Sequence, residues 1–463
     1  MTAVDPYLNT RRLVRVEKGK LIIGGYSEMD LSGYGDEVID LSRVGDIYVI
    51  GAGKTVQRKA KALEDGLGDR LTAGAVTIKK GEEILLKRIG VTEGAHPLPD
   101  EKSLEGARKI VEIARRAKEG DLVFVLFSSG ASSLFALPPD GYSLEEMRAV
   151  YRLAIQYGDQ GIIWRVMKYF SAVNSGRIVM MIHPARAVNF LMSIRGYEPW
   201  RGRIPMEGDW IPSWPPGLQR LAEAAEEMKA EPWWGELPPA MRAALDRRDP
   251  ECEVPSQEGF RRVQSSYWQP VDNRRMLEAA QGKAEEYGFH GAILGNWWMA
   301  QSLDAAEIMT GIARDCLRYG TPFPPPVALI SGGEMTVPVG KAKGIGGRNQ
   351  EFVLSAAVRL AEVPAGIVVG SMDSDGTDGP GFQFAPGAAS GFPTLAGGIV
   401  DGNTLAAARD EGIDLQAELK NHNSTPVLAK LKSGIYTGNT GIVGGDLRVV
   451  LVPEKKHRAE SIE

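Results

Sequence analysis

Cysteine is nearly absent from this chain: Cys252 and Cys316 are the only two, with no CxxC pair and no histidine at ligand spacing beside them. A disulfide framework and a zinc site of the usual spacing are thereby excluded. Histidine is equally sparse, with five residues scattered at positions 96, 183, 290, 422 and 457. No apolar run reaches the roughly 18 residues that a membrane-spanning helix needs. The opening segment MTAVDPYLNTRR also lacks the apolar stretch of a secretion signal, so a cytoplasmic protein with no membrane partner is expected. No stripe of Lys and Arg stands out, and a net charge of -5 speaks against a nucleic-acid surface and for a small-molecule partner. A GxGxxG after a strand, with an acidic residue about twenty positions on, is missing as well, so a nicotinamide site lacks support.

What is present suits two domains with sizeable cores: 463 residues, 43% of them hydrophobic. The first half alternates strand-like and helix-like segments. Ile47 to Ile50, Ala73 to Ile78 and Leu122 to Phe127 read as strands, and Thr55 to Leu67 and Ser103 to Lys118 as helices. Strands linked by crossover helices predict an α/β fold with a doubly wound, mostly parallel sheet, whose ligands bind at the carboxyl ends of strands. Domains of residues 1–260 and 261–463 are expected. Within the first, residues 194–255 form a Trp- and Pro-rich excursion, read either as a lid or as a loop packed on its own domain.

The densest polar signal is Ser331 to Glu351, SGGEMTVPVGKAKGIGGRNQE. Pro326 to Ile330 reads as a buried strand that places Gly332, Gly333 and Glu334 at its carboxyl end. Gly344, Gly346 and Gly347 then lead into Arg348 and an apolar-periodic helix from Phe352 to Ala361. Backbone N–H groups at such a helix start form an anion site, and Arg348 adds a planar charged fork. The plainer alternative is a loop arginine that caps or pairs with Glu334. Gly51-Ala52-Gly53-Lys54-Thr55 follows a strand and opens a helix, but Tyr48 stands where a Walker A motif begins with glycine. Lys54 is placed to meet a phosphate or carboxylate, unless the turn is simply tight. Asp373, Asp375 and Asp378 lie in one loop after a strand, as Mg²⁺ ligands, general bases or members of a solvated turn. The small-residue loop Ser128 to Ser133, the turns Thr437 to Gly441 and Gly444 to Asp446, and His96 in EGAHPLPD are each open to a ligand-binding or a structural reading.

Taken in order, GAGK, HPLPDEKS, the Ser/Gly loop after LVFVLF, SGGEMTV, GGRNQEF, SDGTDGP, GGIVDGNTL and TGNTG…DLRV resemble the blocks of the glycerate 2-kinase family across most of the chain. The resemblance implies an N-terminal Rossmann-like domain, a C-terminal MOFRL-type domain and an active site in the cleft between them. It further implies phosphoryl transfer from ATP, with Mg²⁺, to the 2-hydroxyl of D-glycerate or a related hydroxy acid. On this resemblance Lys54, Arg348 and Asp375 are catalytic, and Asp375 and Asp378 hold the metal. Gly53, His96, Ser128, Ser129, Ser132, Lys168, Glu334, Asn349, Asp378, Thr437 and Asn439 line substrate or nucleotide. A homodimer is left open. Lys54→Ala and Arg348→Ala are each expected to abolish turnover with the fold intact. Departures from the family pattern gather in polar loops: Ser129 and Ala131 replace glycines, Met167 and Asn174 replace basic residues, Ile194 and Leu395 replace aspartates, and residues 381–392 read as an insertion. They keep a second reading alive, a paralogue acting on a hydroxy acid by isomerase, lyase or hydrolase chemistry without ATP.

Overall fold

The computed structural model describes residues 2–31, 33–193, 211–217, 219–361, 366–379 and 394–454. The chain divides into two compact units, residues 5–193 with 197–271, and residues 272–463 with 1–4 and 194–196.

The first unit holds a small antiparallel sheet, β1 (Val14–Glu17), β2 (Lys20–Ile23) and β3 (Glu37–Asp40), and a six-stranded sheet. The latter comprises β4 (Ile47–Ala52), β5 (Ala73–Lys79), β6 (Gly90–Gly94), β7 (Leu122–Phe127), β8 (Arg186–Ser193) and β9 (Ser265–Asp272), in the order β6-β5-β4-β7-β8-β9. Strands β4 to β8 are parallel. This is the doubly wound order, with its topological switch between β4 and β7. The sequence dictates it through alternation within fully buried strands. Ile47, Val49, Leu122, Phe124 and Leu126 enter one core with Val56, Ala60 and Leu63 of helix α1 (Val56–Leu67). Tyr48, Ile50, Val123, Val125 and Phe127 enter the opposite core with Ala107, Ile110 and Ala114 of helix α2 (Glu101–Arg116). Burial of both faces is what continuous apolar runs such as LVFVLF require.

The Trp-rich excursion, as far as it lies within the described residues, packs onto this unit. Trp233 is buried in a cluster with Leu153, Tyr169 and Met241, and Trp214 meets Tyr267 edge to face at 4.9 Å. Ile194 to Trp210 lies outside the described residues. Strand β9 belongs to the first sheet, so the first unit runs past the expected boundary at 260 to Val271.

The second unit is a mixed sheet of β10 (His290–Trp298), β11 (Val327–Gly333), β12 (Val368–Asp373), β13 (Gly397–Asp401), β14 (Gly434–Ile435) and β15 (Asp446–Val452), ordered β10-β11-β15-β12-β13-β14. Only β10 and β11 pair in parallel; β15 runs antiparallel to β11 and β12 on either side. Helix α3 (Asn273–Glu286) opens this unit. Helices α4 (Ser302–Tyr319) and α5 (Arg348–Leu360) share one apolar core with β11, β12 and β15, contributing Met309, Ala313, Phe352 and Leu354.

One buried cation ties the first unit's helix α1 to its sheet. Lys59 is fully buried and donates from Nζ to the Phe127 and Phe190 carbonyls, at 2.8 and 3.5 Å, near the carboxyl end of β7 and within β8. Burial lowers its pKa to about 7. The unfolded chain then holds a proton that the native state releases between pH 7 and the ordinary lysine range, so Lys59 makes stability rise with pH in that window. The melting temperature of the wild type relative to Lys59→Met should therefore climb by several degrees between pH 7 and pH 10. Parallel curves for the two proteins would show that Lys59 does not titrate there.

Candidate active site

At the switch point of the first sheet, the loops after β4 and β7 are laced together. Gly53 N–H donates to the Thr77 carbonyl at 3.1 Å, Lys54 N–H to the Ser129 carbonyl at 3.0 Å, and Ser128 N–H to the Ala52 carbonyl at 3.2 Å. The Ser128 hydroxyl accepts from Thr55 N–H at 3.4 Å. Gly130, at φ 80°, is the close-approach position here: a methyl on its Cα would lie 3.0 Å from His96 Cδ2 and 3.2 Å from Lys54 Cγ. Three distant segments, carrying Lys54, His96 and Ser128 to Gly130, thus converge where ligands bind in doubly wound sheets. Ser132 lies in the one-turn helix Ala131–Leu134 that follows Gly130, and its carbonyl accepts from Tyr151 Oη at 2.6 Å. Lys168 is buried, with its ammonium 5.5 Å from the Tyr169 ring centre.

The second unit's site is built on strand register. Gly333 of β11 stands opposite Asp446 of β15, and Asp446 stands opposite Asp373 of β12, so both aspartates and the residue before Glu334 form one row across three strands. Arg348, first residue of α5, reaches into that row. Its Nε donates to Asp446 Oδ1 at 2.9 Å and its Nη2 to Asp373 Oδ2 at 2.7 Å, while Nη1 lies 3.6 Å from Glu334 Oε1. Burial pushes the Arg348 pKa down, but Asp446, Asp373 and Glu334 outweigh it and hold the guanidinium well above its ordinary range. Asp446 is fully buried and saturated. Its Oδ1 also accepts from Asn349 Nδ2 at 2.7 Å, and its Oδ2 from Arg448 Nη1 at 3.1 Å and Met335 N–H at 3.0 Å. Arg448 is buried completely, which lowers its pKa to about 10 against the pull of Asp446.

Two expectations change here. The helix start of α5, read as a site for a ligand anion, already holds one from the protein. Asp378 accepts from Asn349 N–H at 3.1 Å and Asn349 Nδ2 at 3.1 Å through Oδ1, and from Gln350 N–H at 2.9 Å through Oδ2. Its burial raises its pKa to about 6, opposed by Arg348 and these amides. The glycines before Arg348 likewise serve the chain's own backbone. Gly344 N–H donates to the Asn421 carbonyl at 3.1 Å, Ile345 N–H to Asn423 Oδ1 at 3.1 Å, and Thr425 N–H to the Ile345 carbonyl at 2.8 Å. Behind them His422 Nδ1 meets Glu351 Oε1 at 2.7 Å, where burial has raised the Glu351 pKa to about 7.

The remaining predicted residues of this unit adjoin the Arg348 row through Asp373. Asp375 is buried in its loop, with Oδ1 accepting from Thr377 N–H at 2.7 Å and its own N–H donating to Asp373 Oδ1 at 3.1 Å. Thr437 and Asn439 are exposed on a neighbouring loop, joined to the Asp loop by Thr440 N–H, which donates to the Asp375 carbonyl at 3.2 Å. No group of three His, Cys, Asp or Glu among the described residues is arranged to hold a metal ion. Asp373 and Asp446, noted only as members of polar loops, and Arg448 are the residues that sequence reading did not assign to the Arg348 site. One signal was available: Asp446, Arg448, Val450 and Val452 alternate on the buried face of β15, a two-residue period that places two charges in the core. Arg348→Ala would take one donor from each of two buried carboxylates, Asp446 keeping Arg448, Asn349 and the Met335 amide and Asp373 keeping the Asp375 amide, so some loss of stability is expected beside the loss of turnover.

Residues 1–194 match the family described as a domain of unknown function (DUF4147), and residues 327–443 match the MOFRL family. The Glycerate 2-kinase of Pyrococcus horikoshii is 33% identical over 98% of this chain and 96% of that protein. The D-glycerate 2-kinase of Thermotoga maritima is 30% identical over 88% of this chain and 90% of its own length. A crystal structure of glycerate kinase from Thermotoga maritima superposes with a TM-score of 0.67 at 29% identity, covering 89% of this chain and 92% of that one.

The glycines supply a direct check on the packing. A methyl at Gly344 would lie 2.1 Å from the Asn421 carbonyl oxygen and 2.6 Å from the His422 carbonyl carbon, both backbone atoms that cannot rotate away. Gly344→Ala should therefore destabilise the protein by about 1–3 kcal/mol, seen as a lowered melting temperature without ligand. An unchanged melting temperature with weakened ligand binding would return Gly344 to a phosphate cradle.

Proposed function

The chain belongs to the glycerate kinase family, and on that footing we propose that it transfers the γ-phosphoryl group of ATP to the 2-hydroxyl of D-glycerate or a close hydroxy acid. The observation that carries this reading is the convergence of Lys54, His96 and the Ser128 loop at the switch point, a site of small residues with one cationic side chain. Such a site suits a phosphate or carboxylate. ATP supplies the phosphoryl group. The hydroxyl oxygen of the acid attacks phosphorus, the bond to the ADP oxygen breaks, and the hydroxyl proton leaves to a base. His96, whose ring flanks Gly130 beside Lys54, is suited by its chemistry to accept it. Asp375 remains a candidate for orienting the hydroxyl. Lys54 in the first unit and Arg348 in the second each offer a cation to negative charge, and phosphoryl transfer depends chiefly on positioning and charge neutralisation. Arg348 is held by Asp373 and Asp446, so its fork is oriented before any ligand arrives. Mg²⁺, where it accompanies ATP, is held by substrate phosphates with one or two carboxylates and needs no all-protein cage.

The second reading, hydroxy-acid chemistry without ATP, draws on the C-terminal helix start that Asp378 already occupies. Phosphorylation of D-glycerate with Mg²⁺ and ATP, followed by ADP release, separates the two. Lys54→Ala should lower turnover by about 10²–10³, as loss of a charge-stabilising donor does. Arg348→Lys, which keeps the charge and loses the fork, should lower kcat comparably while leaving a cation beside Asp373 and Asp446. Absence of ADP release, with a melting shift from D-glycerate but none from nucleotide, would favour the paralogue.

A further inference from the structure

Lys59 is a buried cation that the chemistry above leaves unused. It lies in the first turn of helix α1, close behind Lys54 and Thr55 in the chain, and its ammonium donates to the Phe127 carbonyl at 2.8 Å and the Phe190 carbonyl at 3.5 Å. Phe127 is the last residue of β7, and the chain passes from it directly into Ser128 and Ser129. Ser128 Oγ accepts from Thr55 N–H at 3.4 Å, and the Ser129 carbonyl accepts from Lys54 N–H at 3.0 Å. Three successive residues, Phe127, Ser128 and Ser129, are therefore tied to the segment that opens α1. Lys59 makes the first tie, and through Phe190 it brings β8 into the same joint.

This tie is costly to the fold. The ammonium is fully buried, its partners are carbonyls instead of carboxylates, and burial alone lowers its pKa to about 7. Its helix neighbours Val56, Ala60 and Leu63 lie in the apolar core with Leu126 and Phe190, surroundings that suit a methionine. A buried charge replaced by an apolar side chain of similar volume is often neutral or stabilising. The contribution of Lys59 thus lies in what it holds. We propose that Lys59 is a positioning residue for phosphoryl transfer, fixing the end of β7 so that the Ser128–Gly130 loop stands in register with Lys54. This rests on the reading that Lys54 and that loop receive an anionic ligand. A shift of about 1 Å in a group that meets substrate costs up to about 10² in rate, and with Thr55 and Lys54 N–H still holding the loop, loss of the Lys59 tie should cost about tenfold.

Lys59→Met in the full chain at pH 7 tests the proposal. Its melting temperature should equal or exceed that of wild type. Hydrogen exchange followed by mass spectrometry should nevertheless rise in peptides covering residues 127–134, and kcat for phosphorylation of D-glycerate should fall about tenfold, with the loss in kcat larger than any change in KM. Unchanged exchange in that segment overturns the proposal. So does an unchanged kcat when the segment exchanges faster, or a rise in exchange shared by the whole first unit, which would mark a purely structural role. If the methionine variant does not fold, Lys59→Gln, shorter and uncharged, gives the same comparison. Should wild type release no ADP with D-glycerate and ATP, the reading beneath the proposal falls separately, and the exchange of residues 127–134 alone decides whether Lys59 holds the loop.

Discussion

The carboxylate of Asp446 is the fixed point of the second unit. It lies between two guanidiniums, Arg348 and Arg448, and accepts from both as well as from Asn349 and the Met335 amide. A buried charge is tolerable only when each lone pair finds a donor, and here both oxygens do. Their positions follow from the sheet: β15 lies between β11 and β12, so Asp446 is neighbour to Gly333 on one side and Asp373 on the other. Once that register is set, the first turn of α5 has one place for Arg348. Arg448, two residues along β15, completes the alternation of charge by donating to Ser331 Oγ and the Gly332 carbonyl beneath the row.

The two units solve the problem of holding an anion in opposite ways. In the first, the loops after β4 and β7 spend their backbone groups on one another, and Gly130 lets Lys54 and His96 pack close against them. In the second, the protein supplies its own anions. Asp378 occupies the helix start, Asp373 and Asp446 occupy two edges of Arg348, and the segment from Asn421 to Thr425 fills the space beside the glycines. The first arrangement gathers a cation and an imidazole against a glycine, and the second holds a cation between the chain's own carboxylates.

The doubly wound sheet was legible because LVFVLF and IYVIGA are apolar at every position, which only burial on both faces explains. Strand β6, GVTEG, and strand β13, GGIVD, were not, since glycine at strand ends reads as turn. The glycines before Arg348 were seen but misread. A glycine reports that something comes close, and sequence spacing does not distinguish a phosphate from the Asn421 carbonyl. Arg348 was found because it opens a helix after a glycine run, whereas Asp446 was passed over as the end of a turn. Its partners lie 98 and 73 residues away, at Arg348 and Asp373, and only strand pairing brings them abreast.

That misreading bears on the chemistry. An arginine in an open glycine loop would have to be ordered by its ligand, and part of the binding energy would go into fixing its side chain. Arg348 instead has two of its edges fixed by buried carboxylates and its helix start fixed by Asp378, so the remaining edge is aimed before substrate binds. Preorganised charge stabilises a transition state most effectively because nothing reorganises as the charge develops. The same carboxylates lower the net positive potential that a ligand feels, trading ground-state affinity for orientation. In a phosphoryl-transfer enzyme that trade favours the transition state, where charge spreads over the transferred group, over tight capture of any passing anion.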